Sequence, residues 1–215
     1  MEREYHYGAL RSTNGSKVKV VLAEKGLDFQ TQTVRPGDVW KKLPEVLAKH
    51  PLGKVPWIDD GDLTLYDSTV INEYLNEKSA ANPLLPLDLQ SRSKVRALEN
   101  YGDEGVLAKF LPMIWMPWWS PPEQRDETAM QKGRDGLMTQ VLPFLQTTLD
   151  AQDYLCGDFS LADVPMMAMA MVLQVDGMSV AEFPMVEAYL ERLRQRPSYR
   201  LIDPKTPVDD ALTSS

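Results

Sequence analysis

The stretch His50-Pro51-Leu52-Gly53-Lys54-Val55-Pro56-Trp57-Ile58-Asp59-Asp60-Gly61-Asp62-Leu63-Thr64-Leu65-Tyr66-Asp67-Ser68 decides the fold. Val55 to Ile58 is apolar, Asp59-Asp60-Gly61-Asp62 has the composition of a tight hairpin turn, and Leu63 to Tyr66 returns as a second strand. Asp67-Ser68 then precedes Val70, Ile71, Tyr74 and Leu75, whose spacing is that of an amphipathic helix with a capping residue at its start. Proline is excluded from the middle of a sheet because it cannot donate to the ladder. Pro56 is therefore either an ordinary trans proline at a strand start or the second residue of a cis Val55–Pro56 bond ending a loop. In the second case the backbone of Val55 faces outward, where an extended peptide can pair with it.

Upstream of this stretch, Tyr5 to Leu10 reads as a short strand and Arg11 to Gly15 as a turn. Ser16 to Lys25 reads as a helix closed by Gly26, Phe29 to Val34 as a strand, and Pro44 to Lys49 as a short helix. The order is β-α-β-α-β-β-α. Two prolines between Ala80 and Asp88, Pro83 and Pro86, mark a linker, and strand signals vanish beyond it. Leu89 to Trp119 is expected to form one long helix or two, broken near Pro112 and Pro117. Pro121-Pro122 is expected to start a helix running to about Gln152, Ser160 another, and Ala181 to Arg194 a last one. The expected architecture is a small α/β N-terminal domain (1–79), a linker (80–88) and an all-α helical C-terminal domain (89–215).

Composition bounds the function. The chain has 215 residues, 43% hydrophobic and 25% charged, with a net charge of −8. That balance disfavours nucleic acid or an anionic membrane as partner. The longest apolar stretch, Val164 to Val175, is too short to span a bilayer, and no signal peptide is expected at the N-terminus. Cys156 is the single cysteine. A cytoplasmic location follows as the expectation. With one cysteine and two histidines no metal site is expected.

Three features bear on chemistry. Ser12, Thr13 and Asn14 offer hydroxyl or amide donors at a helix start, where they either cap the helix or hold a thiolate, whose formation such donors favour. Asp67-Ser68 at the second helix start is either a plain cap or a seat for a carboxylate. Pro56 is the third.

Together these features resemble the cytosolic glutathione transferase superfamily, in its serine-type, theta-like, zeta-like or bacterial β-etherase-like branches. The carrying residues are Ser12 to Val18, Ala23 to Leu27, His50 to Pro56, and Leu65 to Ile71 with Tyr74 and Leu75, followed by Phe159 to Val164 in the second domain. The resemblance implies an α/β thioredoxin-like N-terminal domain followed by the all-α helical C-terminal domain, the first binding glutathione as cosubstrate, with Val55 beside the cis-proline Pro56 pairing with its cysteine backbone. It places the γ-glutamyl carboxylate at Asp67 and Ser68, where Asp stands in for the commoner Glu, and the glycine end at Lys41, Lys42 and Lys54. The thiol is implied to be held by Ser12, Asn14 or Thr13, with Tyr7 the next claimant. Asp103 and Glu104 fall where related enzymes reach glutathione's amine. A second-substrate pocket is implied at Tyr101, Phe110, Met113, Trp115, Trp118 and Trp119, whose apolar, adaptable side chains suit a hydrophobic electrophile. The implied activity is thiolate attack on that electrophile, by conjugation, ether cleavage, dehalogenation or isomerisation, in a homodimer. The alternative is a transferase-like binding or scaffold protein without catalysis. Ser160 to Asp163 reads as a capping-box variant with a structural role, and Met166, Met167, Met169 and Met171 as core filling.

Overall fold

The computed structural model describes residues 4–8, 12–34, 41–115 and 121–206, with the backbone alone at 4–8, 33, 34 and 115. The chain divides into two compact units. One is built on the chain up to Pro83 and the segment that begins at Arg200; the other is Leu84–Tyr199.

The first unit runs β1 (Glu4–Gly8), α1 (Thr13–Glu24), β2 (Gln30–Val34), α2 (Pro44–Lys49), β3 (Trp57–Asp60), β4 (Leu63–Tyr66) and α3 (Ser68–Lys78). The sheet order is β2-β1-β3-β4. β1 and β2 are parallel, as a crossover through a helix requires, and β3 is antiparallel to both of its neighbours. This is the thioredoxin-like arrangement that the resemblance implies for the β-α-β-α-β-β-α order. Ser12 caps α1, and Gly26, at φ +59°, ends the helix in the left-handed region that glycine enters without a Cβ penalty. The two-residue connection Gly61-Asp62 closes the β3–β4 hairpin, with Gly61 at φ +63°. α1 and α3 lie side by side in parallel: Lys17 reaches Ser68 and Thr69, and eight residues on Lys25 reaches Asn76. Val18, Val21, Leu22, Ile58, Ile71 and Leu75 form the core of this unit.

The helical unit opens with α4 (Leu89–Asn100), which passes without a stop into a π-helical stretch, Tyr101–Leu107, before α5 (Leu111–Trp115). The expected break at Pro112 is therefore misplaced. The chain changes direction before α5, at Ala108–Phe110, and Pro112 sits in the first turn of α5, where no intrahelical donor is lost. The expected helix from Pro121 to Gln152 is also subdivided. A short 3₁₀ turn at Pro122–Gln124 precedes α6 (Glu127–Gly136), a π-helical stretch (Leu137–Val141) and α7 (Leu142–Thr148). α8 (Val164–Asp176) is hydrophobic all round and buried from Val164 to Leu173, as a central helix must be. The methionines at 166, 167, 169 and 171 are fully buried in it. α9 (Pro184–Gln195) follows.

Two polar devices anchor α8. At its start, Asp163 is fully buried and accepts from the Leu155 N–H (3.0 Å), the Ser160 N–H (2.9 Å), the Ser160 hydroxyl (3.2 Å) and the Tyr189 hydroxyl (2.8 Å). The capping box read from Ser160 and Asp163 is present. At its end, the Arg134 guanidinium donates to both oxygens of Asp176 at 2.6 and 2.8 Å, tying α6 to α8. Gly102 in the π-helical stretch faces α8 so closely that a Cβ there would stand 2.6 Å from the Pro165 Cβ. Among the described residues no helix is long and apolar enough to cross a membrane.

Candidate functional site

The sheet register brings three separate sequence features to one edge. His6 pairs with Trp57 and Trp57 with Tyr66. The C-terminal end of β1, the N-terminal end of β3 and the C-terminal end of β4 therefore lie side by side. Ser12 and α1 leave from the first of these, Val55-Pro56 enters at the second, and Asp67-Ser68 leaves from the third. Residues far apart in sequence, Ser12, Val55 and Ser68, thus share one rim, and the Val55–Pro56 bond there is cis.

At the α1 start, the Ser12 Oγ accepts from the Gly15 N–H at 3.2 Å. That contact uses a lone pair and leaves the hydroxyl proton to donate. Ser12 and Thr13 are half-buried, whereas Asn14 is exposed. No acidic residue stands in the first turn of α1, so nothing there offsets the partial positive charge of the helix start.

At the α3 start, Asp67 adopts φ +72°, a left-handed conformation that costs a non-glycine residue conformational energy. Its carboxylate turns back to accept from the N–H groups of Thr69 (3.0 Å) and Val70 (3.2 Å). Two of the first-turn donors are thereby satisfied, and Ser68, buried at 6% exposure, holds the next N–H and a hydroxyl. The Ser68 Oγ accepts from the Lys17 ammonium at 3.1 Å.

The loop between α2 and β3 completes the rim. His50 is buried, its Nδ1 accepting from the Leu52 N–H at 3.1 Å and its ring 4.9 Å from that of Tyr66. Burial, helped by the charge of Lys54, holds the imidazole below its ordinary pKa, against the opposing pull of Asp67. This keeps Nδ1 available as the acceptor that fixes the turn. Gly53, at φ +62°, lies under the Lys42 side chain: a Cβ there would stand 2.9 Å from the Lys42 Cγ. Lys42 and Lys54 therefore flank one turn, with Lys41 exposed beside them.

The helical unit holds the remaining expected residues. Tyr101 packs against Phe144 with tilted rings, centroids 4.5 Å apart, and burial raises its phenol above the usual range. Phe110 is buried with its ring over Gly136, and Met113 is half-buried against Gly133. Asp103 is half-buried and Glu104 exposed, both on the π-helical stretch. Trp118 and Trp119 lie outside the described residues, as do the side chains of Trp115 and Tyr7. The residue that reading the sequence missed is Lys17. A lysine suggests solvent, yet this one is 0% exposed. The signal was its position three and four residues before Val20 and Val21, on the face of α1 that packs.

A thioredoxin-like unit with a cis-proline at its rim, followed by a separate helical unit, defines a two-domain thiol-transferase architecture. Residues 11–78 match the model of the glutathione S-transferase N-terminal domain, and residues 107–197 that of the glutathione S-transferase C-terminal domain. Glutathione S-transferase 3 of Zea mays is 30% identical over 202 residues, covering 90% of each chain. A stringent starvation protein A homolog of Pasteurella multocida is 28% identical over 186 residues, 85% of this chain and 82% of the relative. A solved glutathione S-transferase of Methylobacillus flagellatus with GSH bound matches with a TM-score of 0.78 at 27% identity, covering 94% of this chain and 99% of the other. The chain belongs to the glutathione S-transferase family, enzymes that use glutathione as cosubstrate.

Proposed function

We propose that this chain binds glutathione along the rim of its first unit, stabilises the thiolate there, and directs it at an electrophilic carbon of a hydrophobic substrate. The observation that carries the reading is the convergence of Ser12, the cis Val55–Pro56 bond and Ser68 on one sheet edge. In this reading the cysteine backbone of glutathione pairs with Val55. The γ-glutamyl carboxylate takes the N–H and hydroxyl of Ser68, and the glycine carboxylate meets Lys42 and Lys54, with Lys41 beside them. The sulfur lies at the start of α1, where Ser12 donates. Hydrogen bonds to a charged form favour it, so the thiol loses its proton more readily than in water.

Ser12 is preferred over Thr13 and Asn14 because its oxygen already accepts from Gly15, which leaves its proton to donate. Tyr101, Met113 and the tryptophans at 115, 118 and 119 are assigned to the wall for the electrophile, Phe110 to its backing, and Glu104 to the glutathione amine. The bond made is carbon–sulfur. In ether cleavage, dehalogenation and conjugation by substitution the leaving group departs with the electron pair; in isomerisation the thiolate adds to an activated double bond, whose π pair moves onto the activating group and returns to expel the thiolate after rotation. The enzyme is assigned to the cytoplasm as a homodimer, which light scattering tests.

The experiment is retention on immobilised glutathione followed by turnover of a generic aryl halide, with Ser12→Ala beside the wild type. Retention with turnover that collapses in the variant supports the reading. A second reading, a transferase-like binding protein, is favoured by the relative named as a stringent starvation protein homolog. It predicts retention without turnover.

A further inference from the structure

We propose that Lys17 is a positioning residue for the glutathione carboxylate, setting the polarity of the Ser68 hydroxyl and supplying the positive charge behind it. The inference rests on the glutathione reading above.

The Lys17 side chain is 0% exposed and crosses from α1 to the start of α3, where its Nζ lies 3.1 Å from the Ser68 Oγ and 3.2 Å from the Thr69 Oγ1. A serine hydroxyl left to itself both donates and accepts, and offers a ligand either face. An ammonium only donates. Facing Lys17, the Ser68 oxygen must accept, and its proton is turned toward whatever approaches the helix start.

The backbone gives the same instruction. Asp67 already occupies the N–H groups of Thr69 and Val70, so Ser68 presents an N–H and an O–H together. Two parallel donors suit a carboxylate, whereas an amide in the same place would set its NH₂ against a donor. The buried ammonium places positive charge beside the partial positive charge of the helix start. Lys17 thus acts through Ser68 and selects an anion over a neutral group of the same shape. It touches neither sulfur nor electrophile.

The test compares two ligands and two variants by calorimetry. The ligands are glutathione and its analogue carrying a carboxamide in place of the γ-glutamyl α-carboxylate. The variants are Lys17→Met, which keeps the length of the stem without the charge, and Lys17→Arg. Lys17→Met should weaken glutathione about ten- to a hundredfold, as expected for losing a hydrogen bond to a charged group. It should leave the already weak carboxamide within about threefold, and the same factor should appear in KM with kcat little changed. Lys17→Arg restores a donor and a charge and should bind glutathione within about threefold of wild type.

Equal loss for both ligands means that Lys17 only packs the two helices, and the proposal fails. It fails likewise if Lys17→Met binds glutathione as tightly as the wild type. If thermal melts show Lys17→Met unfolded, Lys17→Arg decides: a folded arginine variant that no longer prefers glutathione over the carboxamide overturns the inference. A wild type that binds neither ligand refutes the glutathione reading itself, before Lys17 is at issue.

Discussion

Asp163 is a buried polar hub of the helical unit, and the cost of removing it follows from its partners. Replacing it by alanine leaves the N–H groups of Leu155 and Ser160 and the Tyr189 hydroxyl without their acceptor in a buried site. Each orphaned donor costs about 1–3 kcal/mol, which puts the net loss at about 3–5 kcal/mol once the site relaxes. The effect has a pH signature. Burial pushes the Asp163 carboxyl up to about 6, against the four donors that pull it down. A carboxyl whose folded pKa lies above its unfolded value binds its proton more tightly in the native state. Its contribution is fully present below the unfolded pKa of about 3.9 and is lost as pH rises through the folded one. Between pH 7.5 and pH 5 the wild type should therefore gain about 1.4 kcal/mol from this group. Asp163→Ala should lack that gain, so its deficit should be larger at pH 5 than at pH 7.5. The assay is urea unfolding followed by tryptophan fluorescence at both pH values. A deficit that is the same at both, or smaller in acid, would refute the argument that burial outweighs the donors.

Two further outcomes are expected. His50→Asn keeps a short acceptor for the Leu52 N–H but removes a titrating ring. The wild-type imidazole is held below its ordinary pKa, so its contribution is present above about 6.5 and lost as pH falls toward the folded value. The variant's melting temperature should fall less than the wild type's between pH 7.5 and pH 5; an identical fall contradicts this. Gly102→Ala would set a Cβ 2.6 Å from the Pro165 Cβ and 2.9 Å from the Met166 Cε. Overpacking of that kind costs about 1–3 kcal/mol, against a helix-propensity gain of about 1. A melting temperature equal to or above wild type by calorimetry would show that α8 yields more easily than its packing suggests.

Much of the rim was legible because it is written in local chemistry. The turn read at Asp59–Asp62 narrows to Gly61-Asp62, with Asp59 and Asp60 in β3, and Asp67 marks the helix start. Pro56 could not sit inside a ladder, so a strand boundary was implied, while the residues left its bond open between cis and trans and the resemblance implied cis. The cis Val55–Pro56 bond and the Ser160–Asp163 box are found as expected. The helical unit was less legible for a physical reason. A π-helical stretch alters the helical repeat without changing composition, so Tyr101–Leu107 and Leu137–Val141 look like ordinary helix to a 3.6-residue template. Pro112 then drew one break to the wrong place, since it begins a helix instead of ending one, while Pro117 lies outside the described residues. Lys17 escaped because residue type argued for solvent while only the helical face argued for burial. Tertiary packing of α1 against α3 decided between them.

The most direct test of the thiolate claim is an ultraviolet titration of the glutathione complex, reading thiolate absorbance against pH for the wild type, Ser12→Ala and Asn14→Ala. A free thiol titrates near 8.5. The account predicts a bound thiol well below that in the wild type and in Asn14→Ala, and a rise in Ser12→Ala of about one unit or more, or roughly 1.4 kcal/mol of lost anion stabilisation. A wild-type complex that titrates like free glutathione, or a rise confined to Asn14→Ala, contradicts it.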